Sequence, residues 1–272
     1  MKLGLYWRYS TRSLIRGGQR TLLAIFCVAV GVMAIVGLQI VGNAINGALT
    51  TNVRAGNGGD VSVRSDISPL TATDLKAFDQ LKAQGIITDY TAISEHDAKS
   101  TDASGNAQVY TLKAVDPAHF PLVGSPIFLN PGNGSIASLL GNDNAIITDN
   151  LQTELGAQVG TALTVQTSDG YTLHVTIAGI VKGTGYFRTA QMLVALSDLA
   201  TAPNSAGYPV TYSVVYTTVP GPTDANAAKA KTAIQNIPAL SLATVTTTQD
   251  ALQTQQNNVQ QIRQFLQIVG LL

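Results

Sequence analysis

Hydrophobic and polar positions are unevenly spread along this chain. Thr21 to Gly42 (TLLAIFCVAVGVMAIVGLQIVG) is a run of 22 residues without a charge. As a helix at about 1.5 Å per residue it spans roughly 33 Å, the hydrocarbon thickness of a bilayer, so the pattern predicts a transmembrane helix over 21–42. Lys2, Arg8, Arg12, Arg16 and Arg20 precede the run, and no acidic residue occurs before Asp60. That asymmetry predicts a cytoplasmic N-terminus in the cell membrane and an extracytoplasmic main domain. A secretory signal peptide has the same ingredients, but its apolar region runs only about 7 to 15 residues. Residues 1–20 read as a basic amphipathic segment at the cytoplasmic interface. Trp7, Arg8, Arg12, Arg16 and Arg20 stand at headgroup level there, as topology determinants or as a docking surface.

Beyond the run the period changes. Residues 43–59 are small and polar, a stalk whose helix gives way to a glycine-rich entry. Asp60 to Arg64 (DVSVR) alternates as a strand does. Leu70 to Gln84 places Leu75, Phe78 and Leu81 on one helical face, with Thr71 or Thr73 as cap and Gly85 as stop. Strands are expected at Ile86 to Ile93 and Val109 to Val115 around a polar turn at 102–106, at Asn144 to Thr148, and at Thr161 to Gln166. Tyr171 to Val181 follows across the hairpin signal Ser168-Asp169-Gly170. A short helix covers Asn150 to Leu155, stopped by Gly156. Further strands fall at Gln191 to Leu196 and Thr211 to Val219, parted by a loop at 200–209. A helix then covers Asp224 to Asn236, and a strand Ser241 to Thr244. The order of strands and helices predicts an α+β fold, a mixed layer architecture. The domain is expected to span 60–248.

Two segments break the pattern. Pro117 to Gly141 holds Pro117, Pro121, Pro126 and Pro131 among glycines, and reads as an irregular inserted loop with short helical turns. Its apolar group, Phe120, Leu122, Val123, Ile127, Phe128 and Leu129, is either core packing or a contact for a partner or substrate. Residues 249–272 begin Gln-rich and end apolar, with no charge after Arg263. They read as a second stalk helix and the start of a second membrane helix, too short as given to cross a bilayer, or as an apolar terminal tail.

Composition narrows the classes. Sixteen basic and sixteen acidic residues balance to zero formal charge, which argues against a nucleic-acid surface. Cys27 alone, inside the apolar run, permits no intramolecular disulfide. No Gly-rich loop ends in Gly-Lys-Ser or Gly-Lys-Thr, so ATP would have to be handled by another chain. His96, His119 and His174 are scattered, without metal-ligand spacing. Asp97, Asp102, Asp116 and Asp143 lack the spacing of a calcium loop, and the serines lack a nucleophile elbow. No catalytic residue, cofactor site or metal site is assigned. Asn133-Gly134-Ser135 fits a glycosylation sequon that chance accounts for.

Three stretches together resemble the FtsX-like and MacB-like permeases of ABC transporters. The first is the basic start Tyr9 to Arg20 leading into Thr21-Leu22-Leu23 and the helix around Val30-Gly31-Val32. The second is Ala145-Ile146-Ile147-Thr148, followed by Leu155 to Gly160, Leu163 and Val175 to Val181. The third is Gln261-Ile262-Arg263 to Gly270-Leu271-Leu272. Each is a common pattern, but their order covers nearly the whole chain. The resemblance implies a MacB-like extracytoplasmic core domain of two subdomains, one interrupting the other. It also implies four membrane helices in a complete permease, of which the last two are absent here. The implied partners are a cytoplasmic ABC ATPase, a second permease copy as homodimer or related heterodimer, the lipid bilayer, and an extracytoplasmic protein or small-molecule substrate. ATP hydrolysis elsewhere would then move this domain for export, extraction or signalling. The competing class is a single-span sensor or binding module without an ATPase. A membrane-tethered hydrolase lacks a nameable nucleophile, base and orienter.

Overall fold

The computed structural model describes residues 23, 25–33, 36, 53–65, 67–204, 207 and 209–269, those at 259 and 262–269 by backbone alone. The chain divides into two units, Met1–Thr51 and Asn52–Leu272. In the first, residues 25–33 are helical. Among the described residues no helix is long and apolar enough to cross a membrane. The expected anchor at 21–42 is described only at 23, 25–33 and 36, and the interface residues Trp7, Arg8, Arg12, Arg16 and Arg20 lie outside the described residues.

The second unit starts with helix α1 (Val53–Gly56) and strand β1 (Val61–Arg64). Helix α2 (Lys76–Ala83) and strands β2 (Asp89–Thr101), β3 (Ala107–Val115) and β4 (Phe128–Asn130) follow. Next come α3 (Ile136–Leu139), β5 (Asn144–Thr148), α4 (Asp149–Leu155), β6 (Ala162–Thr167) and β7 (Thr172–Val181). A 3-10 turn at Gly185–Phe187 precedes β8 (Gln191–Ala195), α5 (Leu196–Thr201) and β9 (Val214–Thr218). The chain finishes with α6 (Asp224–Gln235), a 3-10 turn at Pro238–Leu240, β10 (Thr244–Thr247) and α7 (Thr248–Val269). This is a mixed α/β domain.

Two sheet regions share β2. Its first half, Asp89 to Ile93, pairs with β9 in an open sheet ordered β10-β1-β9-β2. From Ser94 onward it pairs with β3, and at Ala98 and Lys99 with β6. Pairing runs on from β3 through β8, β5 and β7 to β6 and returns to β2, so these strands close a barrel.

Burial explains the assignments. On β7, Leu173, Val175 and Ile177 point into the barrel core, with Thr172, His174 and Thr176 alternating outward. Strand β8 is buried at every position, because Met192 and Val194 fill the barrel while Leu193 and Ala195 face a second apolar layer outside it. Leu151 and Leu155 of α4, one helical turn apart, join the barrel core. On the open sheet, Val61, Val63, Val215 and Val245 pack under Phe78 and Leu81 of α2 and Ala227, Ala230 and Ile234 of α6. Burying Ile234 alone is worth about 2 kcal/mol.

Several expectations change: β2 begins at Asp89 and not Ile86, β9 at Val214 and not Thr211, and α5 occupies Leu196–Thr201 where a strand end and a loop are expected. Residues 71–75 form a turn rather than the first turn of a helix, because the Asp74 carboxylate accepts from both the backbone N–H and the hydroxyl of Thr71. Strand β2 runs eight residues past Ile93, to Thr101, since it crosses from one sheet into the other. The last strand lies at Thr244–Thr247 instead of 241–244, because the 3-10 turn at 238–240 consumes the preceding residues.

Candidate coupling site

The chain enters and leaves the domain side by side. β1, which follows α1, lies antiparallel to β10, which runs directly into α7; Val61 stands opposite Thr247 and Arg64 opposite Thr244. Side chains bind the two paths together. Ser62 Oγ donates to the Thr246 carbonyl at 3.4 Å, and Thr248 Oγ1 donates to the Gly59 carbonyl at 3.2 Å. Helix α7 starts in a reciprocal cap: Thr247 Oγ1 accepts from the Asp250 N–H at 3.1 Å, and Asp250 Oδ2 accepts from the Thr247 N–H at 2.8 Å. Lys231 of α6 reaches the same carboxylate at 2.8 Å. Burial would push the Asp250 carboxyl up, but Lys231 and the Thr247 donors outweigh it and hold it below the usual range.

The apolar group of the insert is split by the fold. Phe120 and Phe128 are buried in the layer outside the barrel, and Leu122 packs against it. Val123 is half-buried, while Ile127 and Leu129 are 55% and 50% exposed. The rings form a chain, Phe120 to Tyr186 at 5.2 Å, Tyr186 to Phe187 at 5.3 Å and Tyr186 to Tyr216 at 5.7 Å between centroids. A cleft of about 150 Å³ lies between Val123, Pro126 and Ile127 of the insert, the turn at 184–187, and Ala55 of α1. The insert therefore borders the entering helix.

A second cluster sits where β2 passes between sheets. Glu95 meets Arg64 of the open sheet at 2.8 Å and Lys113 of the barrel at 3.2 Å. The Lys113 ammonium lies 4.1 Å from the centre of the Tyr186 ring. Burial alone would raise the Glu95 carboxyl, but Lys113 and Arg64 prevail and depress it. Desolvation lowers the Lys113 ammonium despite Glu95. Burial pushes the Tyr216 hydroxyl up to about 12. Two polar clefts flank the crossing, one of about 340 Å³ bordered by Asp79, Lys82, Asp116 and His119, the other of about 410 Å³ bordered by Arg64, His96 and Asp169.

The second cleft adjoins an arrangement with the order of a hydrolase triad. Ser94 Oγ is 2.7 Å from His96 Nε2, and His96 Nδ1 is 2.8 Å from Asp169 Oδ2. Ser94 is 1% exposed, and its hydroxyl donates to the Thr211 carbonyl at 2.5 Å. A nucleophile must reach a substrate carbonyl and hand its proton to the base; this one is enclosed and its proton is directed elsewhere. The contacts fasten the 168–170 hairpin onto β2. The grouping escaped sequence reading because Asp169 is remote from Ser94 and His96, which merely share one face of a strand. His119 pairs with Asp116 at 2.7 Å and His174 with Thr164 at 3.1 Å. Among the described residues no group of three His, Cys, Asp or Glu side chains is placed to hold a metal ion.

Residues 21–237 match the family described as MacB-like periplasmic core domain. Among solved structures, the chain is similar to the periplasmic region of MacB from Actinobacillus actinomycetemcomitans, at 10% identity and a TM-score of 0.53, over 75% of this chain and 96% of that one. It is also similar to the extracellular domain of the noncanonic ABC-type transporter YknZ from Gram-positive bacteria, at 16% identity and a TM-score of 0.45, over 64% and 90% of the two chains. At such identities the likeness concerns the fold. A comparison with curated proteins finds no match.

Proposed function

This chain belongs to the family of MacB-like periplasmic core domains, and we propose on that premise that it is the permease subunit of an ABC transporter. A separate cytoplasmic ATPase drives it, and it performs no chemistry of its own. Residues 21–42 span the membrane, with residues 1–20 on the cytoplasmic side and the domain beyond it. A second copy, identical or related, completes the permease. The observation that carries the reading is the pairing of β1 with β10. A domain that must be moved from the membrane needs its two connections at one place, so that displacement of either becomes displacement of the whole sheet. Strand pairing transmits such a displacement with little loss, because packed elements deform in steps and not continuously. A contact for a partner or substrate at Ile127 and Leu129 is supported by their exposure and by the cleft that Ile127 shares with Ala55 of the entering helix.

The test is co-purification of the intact gene product with candidate cytoplasmic ATPases, with ATP hydrolysis compared in the presence and absence of Leu3 to Arg20. The expected result is a stable complex whose hydrolysis depends on that segment. No complex with any ATPase would return the protein to the class of single-span binding modules.

A further inference from the structure

Asp60 is the first acidic residue in the chain, and its side chain is 6% exposed. Arg54 of α1 grips it as a fork, Nε 2.6 Å from Oδ1 and Nη2 3.0 Å from Oδ2. Oδ2 also accepts the Val219 N–H at 2.9 Å, just past the end of β9. The Asp60 N–H donates to the Thr217 carbonyl at 2.8 Å. Its carbonyl accepts from the Thr248 N–H at 3.0 Å and the Thr248 hydroxyl at 3.3 Å, at the start of α7. One residue thus holds the entering helix, the middle of the open sheet and the departing helix. The carboxylate holds α1 and the end of β9, while the backbone of the same residue holds β9 and α7; a buried ion pair is in any case weak evidence for stability.

We propose that Asp60 is a positioning residue that locks α1 to α7, so that the two connections move as one body. The proposal rests on the coupling role argued above. With the lock open, the glycine-rich link at residues 56–59 would let α1 swing while α7 stayed seated on β10.

The test uses the full chain in lipid with Cys27→Ser, and spin labels on Gly56→Cys and Gln256→Cys. Gly56 has no atom within 4 Å of an added Cβ, and Gln256 is exposed. Double electron–electron resonance should give one narrow distance distribution. Asp60→Asn keeps an oxygen for the Val219 N–H but loses the charge, and should widen the distribution by about twofold. Arg54→Gln should do the same, the double variant should add nothing, and Arg54→Lys should restore most of the narrow peak. An unchanged width in Asp60→Asn and Arg54→Gln, with native circular dichroism, would overturn the lock; if Asp60→Asn does not fold, Arg54→Gln decides alone. Because no ATPase is present, this outcome is separate from the transporter reading, which fails only if no ATPase associates.

Discussion

Glu95 balances two cations at the point where one strand serves two sheets, and its energetics follow from that position. Its folded pKa lies below the unfolded value near 4.3, so its contribution is present at neutral pH and disappears as pH falls through the folded value. Glu95→Gln should cost about 3 kcal/mol at pH 7 by leaving Lys113 buried without its counter-charge. Urea melts of both proteins should converge as pH falls through the depressed folded value, where Glu95 is itself protonated; a constant gap down to pH 2 would disprove the assignment. Gly59 gives a steric case: a Cβ there would lie 2.4 Å from the Thr217 carbonyl oxygen. Gly59→Ala should therefore destabilise by more than about 3 kcal/mol by the same melts, since backbone must move. The sequence marked glycines at 56, 58 and 59 as a flexible entry, whereas Gly59 is a close approach to β9. Such contacts, like the pairing of Glu95 with Lys113, join residues on different strands and leave no local pattern to read.

At the scale of elements, the period of the sequence located most strands and helices, and tertiary context set their ends. Thr223 caps α6, its hydroxyl accepting from the Asn226 N–H. The inward turn in the insert was hidden by prolines: Phe128 is buried while Ile127, just before the three-residue strand β4, and Leu129 on it are exposed. Phe120→Ala should cost about 3 to 5 kcal/mol. Ile127→Ser with Leu129→Ser should stay within about 0.5 kcal/mol of wild type in the same denaturation assay while weakening partner or substrate contact in a binding assay. Equal destabilisation by both would make the whole group core. At the start of α7, Asp250→Ala removes half the reciprocal cap and the tie to Lys231. A loss of about 1 kcal/mol is expected, with faster hydrogen exchange confined to the first turn of the helix.

At the scale of the whole second unit, a closed barrel, an open sheet and an insert that packs across the outside of the barrel combine. The α+β class was legible because each element carries its own hydrophobic period. Barrel closure was not, since it depends on β6 meeting β2 at only two residue pairs. The meeting of first and last strands, on which the functional account turns, was equally invisible along the chain. Its most direct test is hydrogen exchange on the intact gene product in complex with the ATPase that the proposed function assigns to it, compared without nucleotide and with ATP trapped. The account predicts altered exchange at residues 53–61 and 244–252 with β5 and β7 unaffected, the mark of a rigid domain driven from its base. Identical exchange in the two states at the base would contradict it.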